Sequence, residues 1–184
     1  MRKPDKMNRE RFINAIESFT QVATRDDNLK LAVYSAELVL PDFELKYPKN
    51  NHSKKAIDAA KKCIQNDTQE NRDIACVEAG AYSGGAREVP LSPYHIEGDH
   101  NIGSYHPDYT IDSSYYTAVS CAAAAASKNA CASHTYNAAN YASTDNKTKQ
   151  KIIKYALNLS EDWPNDIKKK GCIITALASM LTGN

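Results

Sequence analysis

The chain has 184 residues, the usual size of one domain and enough to bury a substantial core. Its 23 Lys and Arg nearly balance 22 Asp and Glu, for a net charge of +1, so no global basic field draws in nucleic acid or an anionic membrane. The charged N-terminal stretch MRKPDKMNRER has no apolar run behind it and nothing reaches the length of a membrane span, so secretion and insertion are not expected.

Residues 1 to 7 are expected to be flexible, after which Asn8 is placed to cap a first helix whose Phe12, Ile16, Phe19 and Ala23 recur at helical spacing. Asp27 or Asn28 starts a second, with Leu29, Ala32, Val33, Ala36 and Leu40 on one face and Leu31, Leu38 and Val39 adding apolar surface elsewhere, a pattern that predicts deep burial. Pro41 is expected to stop it, because proline lacks the amide hydrogen and drives the preceding residue out of the helical region. Ser53 is placed to cap a third helix, with Ala56, Ile57, Ala60, Cys63 and Ile64 inward and its lysines solvated. Asp67 and Glu70 have capping-box spacing, opening a fourth with Ile74, Val77 and Ala81 on one side and Gly84-Gly85 at its close. From Ser83 to Ile111 the periodicity disappears, and a connection of that length without structure is usually functional or disordered.

The rest of the chain is organised around the Ala-rich stretch from Asp112 to Ser143. Its run Ala122 to Ala126 is small on every side of a helix, so neighbouring backbones can approach all round and the helix is expected at the centre. Asp112 is its cap, and Lys128-Asn129 break or bend it before a sixth helix ending near Tyr141. A seventh helix puts Ile152, Ala156 and Leu159 on one face, and Trp163-Pro164 makes a corner. The last, from about Asp166 to Leu181, groups Ile167, Gly171, Ile174, Ala178 and Leu181, where Gly171 either costs about 1 kcal/mol or permits a close crossing. Alternation at period two is absent, so the expected fold is all-α: one bundle of seven or eight helices over residues 1–184, with a long loop or insertion at 83–111.

The five cysteines, Cys63, Cys76, Cys121, Cys131 and Cys172, never form C-x-x-C and sit mostly in helical patterns, which suits reduced thiols used as small apolar fillers in a reducing cytosol. There is no G-x-S-x-G, H-E-x-x-H, Walker A or G-x-G-x-x-G motif, which argues against an enzyme. The chemically dense stretch is PYHIEGDHNIGSYHPDY, where His95, His100 and His106 accompany Glu97, Asp99 and Asp108. Imidazoles and carboxylates are suitable ligands for Zn²⁺ or a related ion, although loops collect such residues without binding metal. His95-Ile96-Glu97 matches only the first half of the zinc-deaminase signature and lacks the P-C-x-x-C half, so that reading is rejected. His134, on the same helical face as Ala130, Ala138 and Tyr141, is expected to be a partly buried histidine holding a hydrogen bond.

The same loop carries a second signal. Tyr82, Tyr94, Tyr105, Tyr109, Tyr115 and Tyr116 lie in or beside it, and tyrosine offers a large, stiff contact surface with a polar tip. Between Ser83 and Asp112 one arginine, Arg87, faces five carboxylates, Glu88, Glu97, Asp99, Asp108 and Asp112, a net of −4. An acidic, tyrosine-bearing loop suits a basic protein partner, with Tyr94, Glu97, Asp99, Tyr105, Asp108 and Tyr109 the candidate contacts. Packing of the tyrosines back onto the bundle is the competing expectation.

The segment LAVYSAELVLPDFELKYPKNNHSKKAIDAAKKC resembles the front half of the Imm5-like family of immunity proteins from bacterial polymorphic toxin systems. That pattern is Leu-Pro-x-Phe-Glu at Leu40, Pro41, Phe43 and Glu44, a following proline at Pro48, and an Ala-Ile-x-Ala-Ala helix at Ala56, Ile57, Ala59 and Ala60. The second half is similar as well, with Ala-rich helices, His134, and Ala138-Ala139-Asn140-Tyr141-Ala142. The likeness spans roughly Leu29 to Leu159, with a loop longer than the family's. It implies a cytoplasmic, non-enzymatic protein without catalytic residues or cofactor, whose partner is a cognate toxin blocked by occlusion. Several immunity proteins are strongly acidic and this chain is not, which leaves the toxin's class open. The competing expectation is a small metal-dependent enzyme using His95, His100, His106 and neighbouring carboxylates.

Overall fold

The computed structural model describes residues 8–49, 51–80, 113–126, 131–164 and 170–182. They form eight α-helices and no strand: α1 Arg9–Val22, α2 Arg25–Lys46, α3 His52–Gln65, α4 Gln69–Gly80, α5 Ser113–Ala126, α6 Cys131–Ala142, α7 Asn146–Glu161 and α8 Lys170–Thr182. The all-α bundle is therefore the fold. The flexible 1–7, the loop 83–111 and the Asp112 cap of the sequence reading fall outside the described residues.

Alanine places α5 at the centre of one half. Cys121, Ala122, Ala123, Ala124 and Ala125 are consecutive and all buried. Since about 3.6 residues complete a helical turn, five in a row cover the whole circumference, and α5 accordingly packs against α2, α3, α4 and α6. Two differently built cores result. Around α5 the contacts are small, with Ala56 and Ala60 of α3, Ala75 and Ala79 of α4 and Ala138 of α6. Beyond α2 and α6 they are large: Phe12, Ile16 and Phe19 of α1, Ile152 and Ile153 of α7, Trp163, and Leu177 of α8.

The second helix is the partition between these cores. Leu29, Ala32, Val33 and Ala36 face the small core while Leu31 and Val39 face the large one, so both apolar surfaces read from its sequence are used. Its start is stitched to α6. The Thr135 hydroxyl lies 2.9 Å from the Asn28 carbonyl and 2.8 Å from that of Cys131, and the Cys131 thiol lies 3.7 Å from the Arg25 carbonyl.

Pro41 does not end α2, which continues to Lys46. The carbonyl deprived of its donor is that of Glu37, and both Glu37 and Pro41 are exposed, so water can serve it. The extension in turn buries Phe43, whose ring packs 5.1 Å from that of Tyr47. Burial of a phenylalanine, worth roughly 1.5–3 kcal/mol, offsets most of the proline penalty of about 3.

Several caps also differ from expectation. Thr24, not Asp27 or Asn28, caps α2: its oxygen accepts the Asp27 N–H at 3.1 Å and its hydroxyl donates to the Asp27 carboxylate at 2.9 Å. Ser53 is buried within the first turn of α3, and Asn51 occupies the cap position without a side-chain bond. Thr68 accepts the Asn71 N–H at 3.2 Å to cap α4, because Asp67 is held instead by Arg25 at 2.9 Å and Arg72 at 2.5 Å. Asn8 caps α1 as expected, accepting from Glu10 N–H at 2.9 Å.

In α8 the buried positions are Ile173 and Leu177, one step from the stripe through Gly171 and Ile174. Gly171 is exposed, and a Cβ built there meets nothing within 4 Å, so no close crossing uses it. Gly171→Ala is accordingly expected to stabilise the protein by about 0.4–1 kcal/mol, read as a raised midpoint in urea unfolding.

Candidate protein-binding face

Tyr94, Glu97, Asp99, Tyr105, Asp108 and Tyr109, the candidate contacts from the sequence, lie outside the described residues, as do His95, His100 and His106. The structure adds a surface that the sequence reading grouped on one side of the fourth helix without saying which way it faces. In α4 the buried residues are Ala75 and Ala79, whereas Ile74 is 38% exposed and Val77 67%. The reason is the neighbour: a helix packing on the alanine surface of α5 comes closest through its own small residues, and Ala75 and Ala79 at i, i+4 meet that need better than the larger aliphatics.

The outward stripe has its own composition. Glu70, Asp73, Ile74, Val77 and Glu78 follow i, i+3, i+4, i+7, i+8 and line one open groove of about 460 Å³. Three carboxylates thus frame two exposed aliphatic side chains, with no cation among them. Gln69 donates to Asp73 at 2.8 Å. Arg72, the cation of this helix, is turned away and bound to Asp67. The hydrogen bond from Arg72, helped by the Arg25 charge, holds the Asp67 carboxyl below its usual pKa. The signal in the sequence was the coincidence of the 70, 73, 78 acids with the 74, 77 aliphatics on one stripe, of which the sequence reading took up only the aliphatic side.

All five cysteines are free, and Cys63, Cys121 and Cys131 are buried as the small fillers expected, while Cys172 is exposed. Burial pushes the Cys121 thiol well up and that of Cys131 to about 11, so both stay protonated and weakly nucleophilic. His134 is wholly buried on α6 beside Thr135 and Ala138, deeper than the partial burial expected, whereas Tyr141 is 43% exposed. Asn28 and Ser35 are buried and donate to backbone carbonyls, of Thr20 at 3.0 Å and Leu31 at 2.8 Å. Among the described residues no cluster of three or more His, Cys, Asp or Glu is placed to hold a metal ion, and no helix is long and apolar enough to cross a membrane. Comparison with family models, with curated proteins and with solved structures finds no match.

Proposed function

We propose that this chain is a non-catalytic immunity protein that binds a cognate bacterial toxin in the cytoplasm and neutralises it by occlusion. The observation that carries the protein-binding part is the outward face of α4, where Ile74 and Val77 stand exposed among carboxylates in a groove. Apolar side chains grouped on a surface and rimmed by polar ones mark interaction sites more often than scattered single residues do. The immunity part draws on the resemblance through Leu40, Pro41, Phe43 and Glu44 and through Ala56, Ile57, Ala59 and Ala60. In this reading Tyr94, Tyr105 and Tyr109 supply contact area, and Glu97, Asp99 and Asp108 supply charge toward a basic toxin surface.

An immunity gene lies beside its toxin gene, so the product of the neighbouring reading frame is the partner to test. Co-expression is expected to give a stable complex and to protect cells from that product. Charge reversal at Glu97, Asp99 and Asp108 together is expected to weaken the complex by about tenfold or more, with the wild-type affinity falling as salt rises. An affinity indifferent to the triple reversal removes those residues from the interface. Neither binding nor protection removes the immunity reading itself.

A further inference from the structure

We infer that the α4 face accepts one kind of partner segment: an apolar side chain seated over Ile74 and Val77, flanked by lysine or arginine within reach of Glu70, Asp73 and Glu78. This rests on the protein-binding reading above and adds the place and the chemistry of contact. All five residues share one helical stripe, so a segment lying along α4 meets aliphatic and acidic groups together. Glu70 and Asp73 are like charges at i, i+3, and an incoming cation relieves a repulsion that the free helix carries. Among the described residues no cation serves that purpose, because Arg72 of the same helix is committed to Asp67, which Arg25 also holds.

Two other parts of the described surface carry exposed lysines, which favours the same partner at α4 over those faces. Lys54, Lys55 and Lys62 of α3 and Lys147, Lys151 and Lys154 of α7 are exposed, so a basic segment is repelled from those faces and attracted to α4. Among the helices, α4 packs against α3 and α5 through its alanine side, which leaves the acidic-aliphatic side facing outward.

The test titrates the full-length, ¹⁵N-labelled protein with a short amphipathic helical peptide of leucine and lysine, and with its counterpart carrying glutamate for lysine. Amide shifts are expected to centre on residues 69–80, with binding of the glutamate peptide weaker by about tenfold or more. Ile74→Asp/Val77→Asp and, separately, Glu70→Lys/Glu78→Lys are expected to lose the lysine peptide to a similar degree while keeping the helical circular dichroism of the parent. Shifts centred on another element, equal affinity for both peptides, or retention by both double variants overturns the inference. So does self-association of the free protein through residues 69–80, which makes a second copy the occupant. A complex with the neighbouring gene product that survives the α4 variants overturns this inference and leaves the immunity reading standing; failure of the unmodified protein to form that complex, with its peptide binding at α4 intact, does the reverse.

Discussion

Replacing Phe19 by alanine is expected to lower the free energy of unfolding by about 3–5 kcal/mol, a large share of what holds a domain of this size together. Phe19 is fully buried in the large-residue core, and its ring lies 5.1 Å from that of Trp163 at 31°. Trp163 is anchored in turn: its indole N–H donates to Asp27 at 2.8 Å, and Asp27 sits in the capped first turn of α2. The aromatic pair therefore joins α1, the corner after α7 and the start of α2, and removing one ring leaves a hole between three separately held elements. Such a site collapses poorly, which places the cost at the upper end for a large-to-small change. Trp163 is the sole tryptophan, so its fluorescence follows urea unfolding without a label. Trp163→Phe, followed by circular dichroism because it removes the fluorophore, keeps most of the packing and loses the bond to a carboxylate, and a smaller cost of about 1.5–3 kcal/mol is expected. A loss under about 1 kcal/mol for Phe19→Ala would show that the large core closes around the gap, contrary to a rigid three-way joint.

The features legible in the sequence are those decided by size and period within one helix. The stripe of Phe12, Ile16 and Phe19, the two faces of α2 and the all-round smallness of Ala122 to Ala126, of which all but the partly buried Ala126 are enclosed, each state their burial without reference to a neighbour. Where the neighbour decides, the sequence misleads. Hydrophobicity alone turns Ile74 and Val77 inward, but the partner surface of α4 is alanine, and close approach there selects Ala75 and Ala79 instead. Pro41 reads as a stop because its local penalty is visible, whereas the compensating burial of Phe43 is tertiary. Asp67 has capping spacing, yet an arginine 42 positions earlier in the chain claims its carboxylate and Thr68 takes over the cap. The candidate face was hidden for the first of these reasons: the shared side of Ile74 and Val77 is legible in the sequence, but the direction it faces is set by α5.

Leucine substituted singly at Ala122, Ala123, Ala124 and Ala125 is expected to destabilise the protein by about 1–3 kcal/mol at every one of the four positions. The uniformity matters more than the size. On an ordinary amphipathic helix four consecutive residues include at least one facing water, where a larger side chain changes stability by no more than about 0.5 kcal/mol. Here each of the four is at most 5% exposed, and α2, α3, α4 and α6 all lie against the helix. The three carbons added by leucine must then displace a neighbouring backbone or an alanine on it, and alanine has no rotamer with which to yield. The partly exposed Ala176 on α8 supplies the control and is expected to accept leucine with little change. Thermal unfolding followed by circular dichroism measures all five variants. A tolerant position among the four would mean that α5 has an outer side, and the nesting of helices around it, on which the outward turn of Ile74 and Val77 depends, would no longer account for the acidic-aliphatic face of α4.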